Sequence, residues 1–226
     1  MNYARTTVRR LLGGTAHPGG EALTRHVLGR LALPTGALVA DVACGDGATL
    51  RLLAAHGLLG VGVDLEPAAV ERARAHRQPA VLGDAAALPL ASGAYDAVVC
   101  ECAVSTFDDP ARALAEMARV LRPGGAVAVT DVLLRRDLAA PGVVAAVDAL
   151  TTARTMPGYV ALLEGAGLRV VRTEDRAADA LALCRRLARR LALVGALRQA
   201  STARDCARAV ETGALGYGLL VAVRAG

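Results

Sequence analysis

From residue 38 onward the chain alternates short Val-rich runs with Ala/Arg/Leu segments, and this rhythm limits the fold more than any single motif does. LVADV (38–42), GVGVD (60–64), AVL (80–82), YDAVVC (95–100), AVAVTD (126–131), LRVVRTE (168–174) and GYGLLVAVR (216–224) have the length and β-branched content of buried strands. Segments of helical period lie between them near 48–56, 67–76, 110–121 and 157–166. Strand–helix–strand alternation needs crossover connections, so it predicts an α/β fold: a mostly parallel sheet with helices on both faces.

Three segments fall outside the rhythm. The first 35 residues read as one or two helices broken by HPGG (17–20), and 132–156 forms a long connection. Residues 175–215 stand where a hairpin would suffice, and a structureless loop of that length is rare, so helices are expected. On a helical wheel Leu181, Leu183, Cys184, Leu187, Leu191 and Val194 share one side, and Arg185, Arg186, Arg189 and Arg190 the other. Residues 176–208 hold eight Arg against Asp179 and Asp205, enough to account for the formal net charge of +5. There is no Lys among the 26 basic residues, which points to codon bias rather than chemistry. Apolar residues make up 54% of the chain and aromatics 2%, so the core must be built from Leu, Val and Ala. Five cysteines and no apolar leader at the N-terminus fit a reducing, cytoplasmic setting, and no apolar run is long enough to span a bilayer.

The chemistry gathers at strand ends. VADVACGDGATL (39–50) closes a strand in Asp41 and turns through Gly45 and Gly47 into a helix whose first N–H groups are free for a ligand. Dinucleotide-binding folds carry G-x-G-x-x-G there, but Ala43 replaces the first glycine and Thr49 is no third one, so a nicotinamide-dependent reductase fits poorly. Asp64 closes the second strand, where a carboxylate can accept from both hydroxyls of a ribose. Asp84 follows the third strand, placed to accept from the exocyclic amine of adenine. Three acids at three successive strand ends would repel a phosphate chain, so the implied ligand is a nucleoside without pyrophosphate.

Taken together, DVACGDG (41–47), VGVDLE (61–66), GDAAALPL (83–90), YDAVVCECAV (95–104) and RVLRPGGAVAVTD (119–131) resemble the class I S-adenosylmethionine-dependent methyltransferases of the small-molecule, type 11-like group. The resemblance covers roughly 36–175 and 215–226. It implies a Rossmann-like seven-stranded sheet with the last strand antiparallel and extra helices between the last two strands. A helical cap (1–35) would precede a methyltransferase domain (36–226) with a helical insertion at about 175–215. S-adenosylmethionine is the implied cofactor and a small molecule the implied methyl acceptor. Asp41, Gly45 and Gly47, with Ala43 where the pattern has glycine, would shape the loop under the methionine part. Asp64 would hold the ribose while Leu65 packs on the adenine, and Asp84 with the Ala85 N–H would read the adenine edge.

The stretch CECAVSTFDD (100–109) ends the fourth strand and admits three readings: a metal site, a nucleophile with its base, or a pocket wall. Strand alternation sends Cys100 and Cys102 to one side and Glu101 to the other. Zinc needs about four ligands, and neither Cys nor His clusters elsewhere at ligand spacing, so no metal is expected. A thiolate nucleophile needs a nearby His, and His17, His26, His56 and His76 are scattered. In the resembled family the position of Glu101 faces the methyl-transfer site, which makes Glu101 the catalytic candidate: it would contact the cofactor amino group, orient the substrate or take its proton. After the fourth strand the chain reads ECAVSTF, with no Pro and no aromatic until Phe107, which argues against a nucleobase-amine substrate. The Arg face of 175–215 could contact RNA or anionic lipid, but it lacks interleaved aromatics and reads as solvated helix surface. The layout also resembles the arsenite and sterol/quinone branch, but 148–163 lacks the cysteine an arsenite enzyme would need, and Cys184 is expected in the core. Tyr3 and His17 are candidates to cover the cofactor, within a lid drawn from 1–35, 132–156 and 175–215. The alternative of another class is a non-catalytic S-adenosylmethionine-binding regulatory module.

Overall fold

The computed structural model describes residues 17–225. Tyr3 and the start of the expected N-terminal cap lie outside the described residues. Seven strands, β1 (Leu38–Val42), β2 (Leu59–Asp64), β3 (Ala80–Leu82), β4 (Tyr95–Glu101), β5 (Leu121–Leu134), β6 (Leu168–Asp175) and β7 (Leu215–Arg224), form one sheet. Their order is β3-β2-β1-β4-β5-β7-β6, with β1 to β5 pairing in parallel and β7 antiparallel to both β5 and β6. Strand order reverses between β1 and β4, and the carboxyl ends on either side of that switch make the crevice where ligands of open α/β sheets sit.

Among the described residues eight helices flank the sheet: α1 (Gly20–Leu31), α2 (Ala48–Ala55), α3 (Pro67–Ala75), α4 (Pro110–Val120), α5 (Pro141–Asp148), α6 (Met156–Gly165), α7 (Ala177–Leu193) and α8 (Leu197–Glu211). Their sequences explain their limits. In α4, Asp109 caps the helix by accepting the Arg112 N–H at 2.9 Å, and Pro110 fits the first turn, where no N–H is needed. Ala113, Leu114, Met117 and Val120 then recur at helical spacing and are buried.

Strand alternation divides the core in two. Val39, Ala97, Val99, Ala128, Tyr217 and Leu219 point to the face covered by Leu23 and Val27 of α1 and Leu50 and Leu53 of α2. Ala40, Val42, Val98, Cys100, Val127 and Val129 point to the face covered by Leu114 and Met117 of α4 and Tyr159 and Leu163 of α6. Asp41 shares the first face, because it is in register with Val99. Helix α1 is tied across to the sheet edge by Glu174 of β6, which meets His26 Nε2 and Arg30 Nε at 2.6 Å each.

The structure departs from the sequence reading in three places. Strand β5 starts five residues early, since Leu121 pairs with Tyr95 across a register shift. The connection after it contains α5. Finally, Val194 does not join the apolar side of α7. It caps the helix and is 64% exposed, while Leu191 is buried and Leu181, Leu183, Cys184 and Leu187 are half-buried. Among the described residues no helix is long and apolar enough to cross a membrane.

Gly62 on β2 shows how tightly the sheet meets the loop after β1. A Cβ there would lie 2.6 Å from Cys44 Sγ and 2.8 Å from Leu50 Cδ1. Gly62→Ala is expected to cost about 1–3 kcal/mol from overpacking. Cys44→Ala in the same chain should return part of that loss, as urea unfolding of the single and double variants will measure.

Candidate functional site

The loop between β1 and α2 is held open by its backbone. Ala43, Gly45 and Gly47 have φ of 63°, 59° and 77°. The N–H groups of Ala43 and Cys44 both donate to Val63 O, at 2.8 and 3.1 Å, which staples the loop to β2. A Cβ on Gly47 would come within 2.9 Å of Gln78 Cγ. Ala43, a residue with a Cβ, holds the same left-handed conformation, at a cost of roughly 1–2 kcal/mol.

Asp64 organises the next strand end. Its Oδ2 accepts the Gly45 N–H at 2.8 Å and its Oδ1 the Glu66 N–H at 2.9 Å. An ionised carboxylate offers about four acceptor sites, so these two bonds fix its plane and leave capacity for a vicinal diol. Leu65 beside it is 68% exposed, and Leu82, the register partner of Asp64 on β3, 54%. Asp84 is exposed, with Oδ1 accepting the Ala86 N–H at 2.8 Å in a local turn, while Ala85 is buried. The segment after it is anchored from α4: Glu116 accepts the Leu88 N–H at 2.8 Å, and Arg119 donates to the carbonyls of Leu88 and Leu90.

Asp41 and Glu101 meet on the face under α1. Glu101 Oε2 accepts from Thr24 Oγ1 of α1 at 2.9 Å and Thr49 Oγ1 of α2 at 3.1 Å. His17 Nε2 lies 3.9 Å from Glu101 Oε1, and its Nδ1 is 2.9 Å from Pro18 O. The side chain of Glu101 is buried beneath this cover. Asp41 Oδ2 is buried with no hydrogen-bond partner. Burial, together with the nearby charges of Glu101, Asp64 and Asp46, holds the Asp41 carboxyl well above the usual range. Four carboxylates thus feel one another around one loop, and one of their buried oxygens faces no donor. Such a site suits a ligand that is cationic and rich in donors, and it opposes a pyrophosphate.

The cysteines do not act as expected of strand alternation. Cys100 is fully buried on the α4 side, but Cys102 packs against the α1 side with Glu101, because β4 ends at Glu101 and Cys102 turns to φ 56°. Burial and nearby Asp131 push the Cys102 thiol up to about 12, and the same causes raise Cys100 well above its ordinary value. Both thiols therefore hold their protons at neutral pH in the free protein, which argues against a thiolate nucleophile. Cys184 is half-buried on α7 rather than fully in the core.

Sequence reasoning passed over Thr24, Thr49 and Asp131. Each is a polar residue on an otherwise buried stripe, which is the signal that could have found them. Asp131, at the carboxyl half of β5, accepts from Ser105 N–H at 2.8 Å, Ser105 Oγ at 2.7 Å and Val132 N–H at 2.7 Å. Ser105 O in turn accepts from Thr152 N–H and Oγ1. This chain of bonds ties the segment after β4 to the one after β5. Burial raises the Asp131 carboxyl to about 6. A separate cavity of about 500 Å³ lies between α5 and α8, lined by Leu138, Val143, Thr202, Asp205, Arg208 and Ala214 among others, and includes none of Asp41, Asp64, Glu101 and Asp131.

Comparison with known proteins places this arrangement. A methyltransferase-domain family model matches residues 40–129, the span from β1 to within β5. Methyltransferase GfsG of Streptomyces halstedii is 34% identical over 170 residues, 69% of this chain and 61% of that protein. A demethylmenaquinone methyltransferase of Corynebacterium kroppenstedtii is 35% identical over 45% of this chain and 44% of that protein. The chain therefore spans about half the length of these curated relatives. The crystal structure of the [4+2]-cyclase SpnF superposes with a TM-score of 0.77 at 24% identity, covering 96% of this chain and 90% of that one. The likeness to SpnF is one of fold.

Asp41 and Asp131 give the ligand-free protein a pH dependence. Both hold their protons more tightly when folded than the unfolded value near 3.9 allows. Between those values the folded state binds more protons, so their contribution is present at low pH and is lost as pH rises, for Asp131 between about 4 and 6. Asp41→Asn should therefore raise the melting temperature by several degrees at pH 8 and change it little at pH 4.5. Thermal unfolding of both proteins across that range measures the difference.

Proposed function

We propose that this chain, which belongs to the class I S-adenosylmethionine-dependent methyltransferases, transfers a methyl group from S-adenosylmethionine to a small-molecule acceptor. The observation that carries the reading is the unpartnered, buried oxygen of Asp41 within a group of four carboxylates. S-adenosylmethionine fits that set: it brings an ammonium, a sulfonium and a ribose diol, and no phosphate. When bound, it supplies a methyl group on a cationic sulfur, open to in-line attack by the acceptor with departure of S-adenosylhomocysteine.

In this reading the chain's own residues do the following. The loop of Asp41, Ala43, Gly45 and Gly47 carries the methionine part. Asp64, its plane fixed by Gly45 and Glu66, accepts from both ribose hydroxyls. Leu65 and Leu82 give the adenine an apolar ledge, and Asp84 with Ala85 N–H meets its edge. Glu101, oriented by Thr24 and Thr49, stands at the reactive end. It stabilises the positive charge nearby, and it accepts a proton where the acceptor is a hydroxyl or ammonium. Most of the rate gain comes from alignment and from exclusion of water under α1. Demethylmenaquinone, named in one relative, is a small molecule, which supports a metabolite as acceptor.

Calorimetric titration tests the reading. S-adenosylmethionine and S-adenosylhomocysteine are expected to bind in the micromolar range and NAD not at all. Asp64→Ala should weaken both by about tenfold or more, since charge-assisted bonds contribute roughly 1.5–3 kcal/mol each. Unchanged affinity would remove the ribose assignment. Transfer of label from methyl-labelled cofactor to metabolites separates an enzyme from a regulatory binding module, which would bind the cofactor and label nothing.

A further inference from the structure

Helices α7 and α8 form an antiparallel hairpin that turns at Gly195, φ 75°. Its two ends are rooted differently. The base joins the main core through Ala180, Ala209 and Val210. Among the described residues the outer half has a small separate core of its own, built on Ala188, Leu191, Ala200 and Ala203. The hairpin therefore projects from the body, and its tip presents Leu193, Val194 and Leu197 at 85%, 64% and 66% exposure. Three adjacent large aliphatic side chains in water are an unusual cost at a loop tip. From Arg186 to Arg204 the chain carries five arginines and no acid, and Arg186, Arg189, Arg198 and Arg204 are exposed on the helices beside the tip. Nearer the base the charges are compensated, with Arg185 paired to Glu211 and Arg208 to Asp205.

We propose that this tip docks the protein on an anionic lipid bilayer, with Leu193, Val194 and Leu197 entering the headgroup–acyl boundary and the flanking arginines on lipid phosphates. An aliphatic wedge with a purely basic rim is the pattern of an interfacial element that lies on a membrane without crossing it. Other partners fit less well. A symmetric contact between two tips would bring together Arg186, Arg189, Arg198 and Arg204 of each copy, and residues 186–204 supply no acid to offset them. A nucleic-acid track would use aromatic stacking, and residues 177–211 contain no aromatic side chain. The hairpin leaves from the end of β6 and returns into the start of β7, at the carboxyl edge where Asp41, Asp64 and Glu101 lie. Docking would hold that edge toward the lipid. The inference does not depend on the methyl-transfer reading, because it concerns a surface that none of the proposed cofactor residues touch.

Co-sedimentation of the full chain with sucrose-loaded vesicles tests it. Vesicles of phosphatidylcholine with one-third phosphatidylglycerol should carry the protein down, and pure phosphatidylcholine should retain about tenfold less. Raising salt from about 0.1 to 0.5 M should release it. The pair Leu193→Ser and Leu197→Ser, and separately Arg189→Gln and Arg198→Gln, should each lower partitioning about tenfold with melting temperature unchanged. Failure to sediment with anionic vesicles overturns the proposal. So do equal binding to both vesicle types, tighter binding to polyuridylate than to lipid, or a dimer in light scattering that the serine pair dissociates.

Discussion

The carboxyl ends of β1, β2 and β4 bring Asp41, Asp64 and Glu101 around one loop, and much of the surrounding structure serves to hold that concentration of negative charge in place. Asp41 is in register with Val99, two residues before Glu101, so the two acids share a face by strand geometry alone. The cost of their closeness is visible in Asp41, whose carboxyl is held well above its ordinary range by burial and by Glu101. Relief comes in pieces: N–H groups of Gly45 and Glu66 on Asp64, and hydroxyls of Thr24 and Thr49 on Glu101. Asp41 Oδ2 receives none. A ligand with fixed positive charge would complete the set, as proposed above for a sulfonium cofactor, and a pyrophosphate would add to the repulsion.

The same arrangement gives α1 its position. Thr24 is the one buried polar residue on a helix face otherwise made of Leu23, Val27 and Leu28. Its hydroxyl reaches across to Glu101, while His26 and Arg30 of the same helix fasten to Glu174 on β6. The helix is thus pinned in two places, over Glu101 and over the sheet edge. Asp131 performs a similar service on the other side, joining the segments after β4 and β5 through Ser105.

Much of this was legible in the sequence, for definite reasons. Strand runs such as LVADV and AVL are short, apolar and bounded by turns, so their limits appeared directly. The acids at their ends could be placed because a parallel sheet puts all carboxyl ends on one edge. What could not be read depends on three-dimensional neighbours. The φ of 56° at Cys102 ends the alternation one residue early and moves its side chain to the opposite face. Val194 fits an apolar wheel, but α7 stops at Leu193, so the wheel no longer applies. Thr24 and Thr49 carry no motif, and only the approach of α1 and α2 to Glu101 gives them a role. The exposed tip of the α7–α8 hairpin was likewise hidden, because the helical period is the same for a buried stripe as for one that stands clear of the core.

The claim that the carboxylate group awaits a cation is tested most directly by the protons exchanged on binding. Calorimetry with S-adenosylmethionine across a pH series, in buffers of differing ionisation enthalpy, reports that number. A carboxyl that keeps its proton in the free protein and ionises against the ligand's positive charge predicts net proton release, lost in Asp41→Asn. A binding enthalpy independent of buffer, or release that persists in Asp41→Asn, would contradict it.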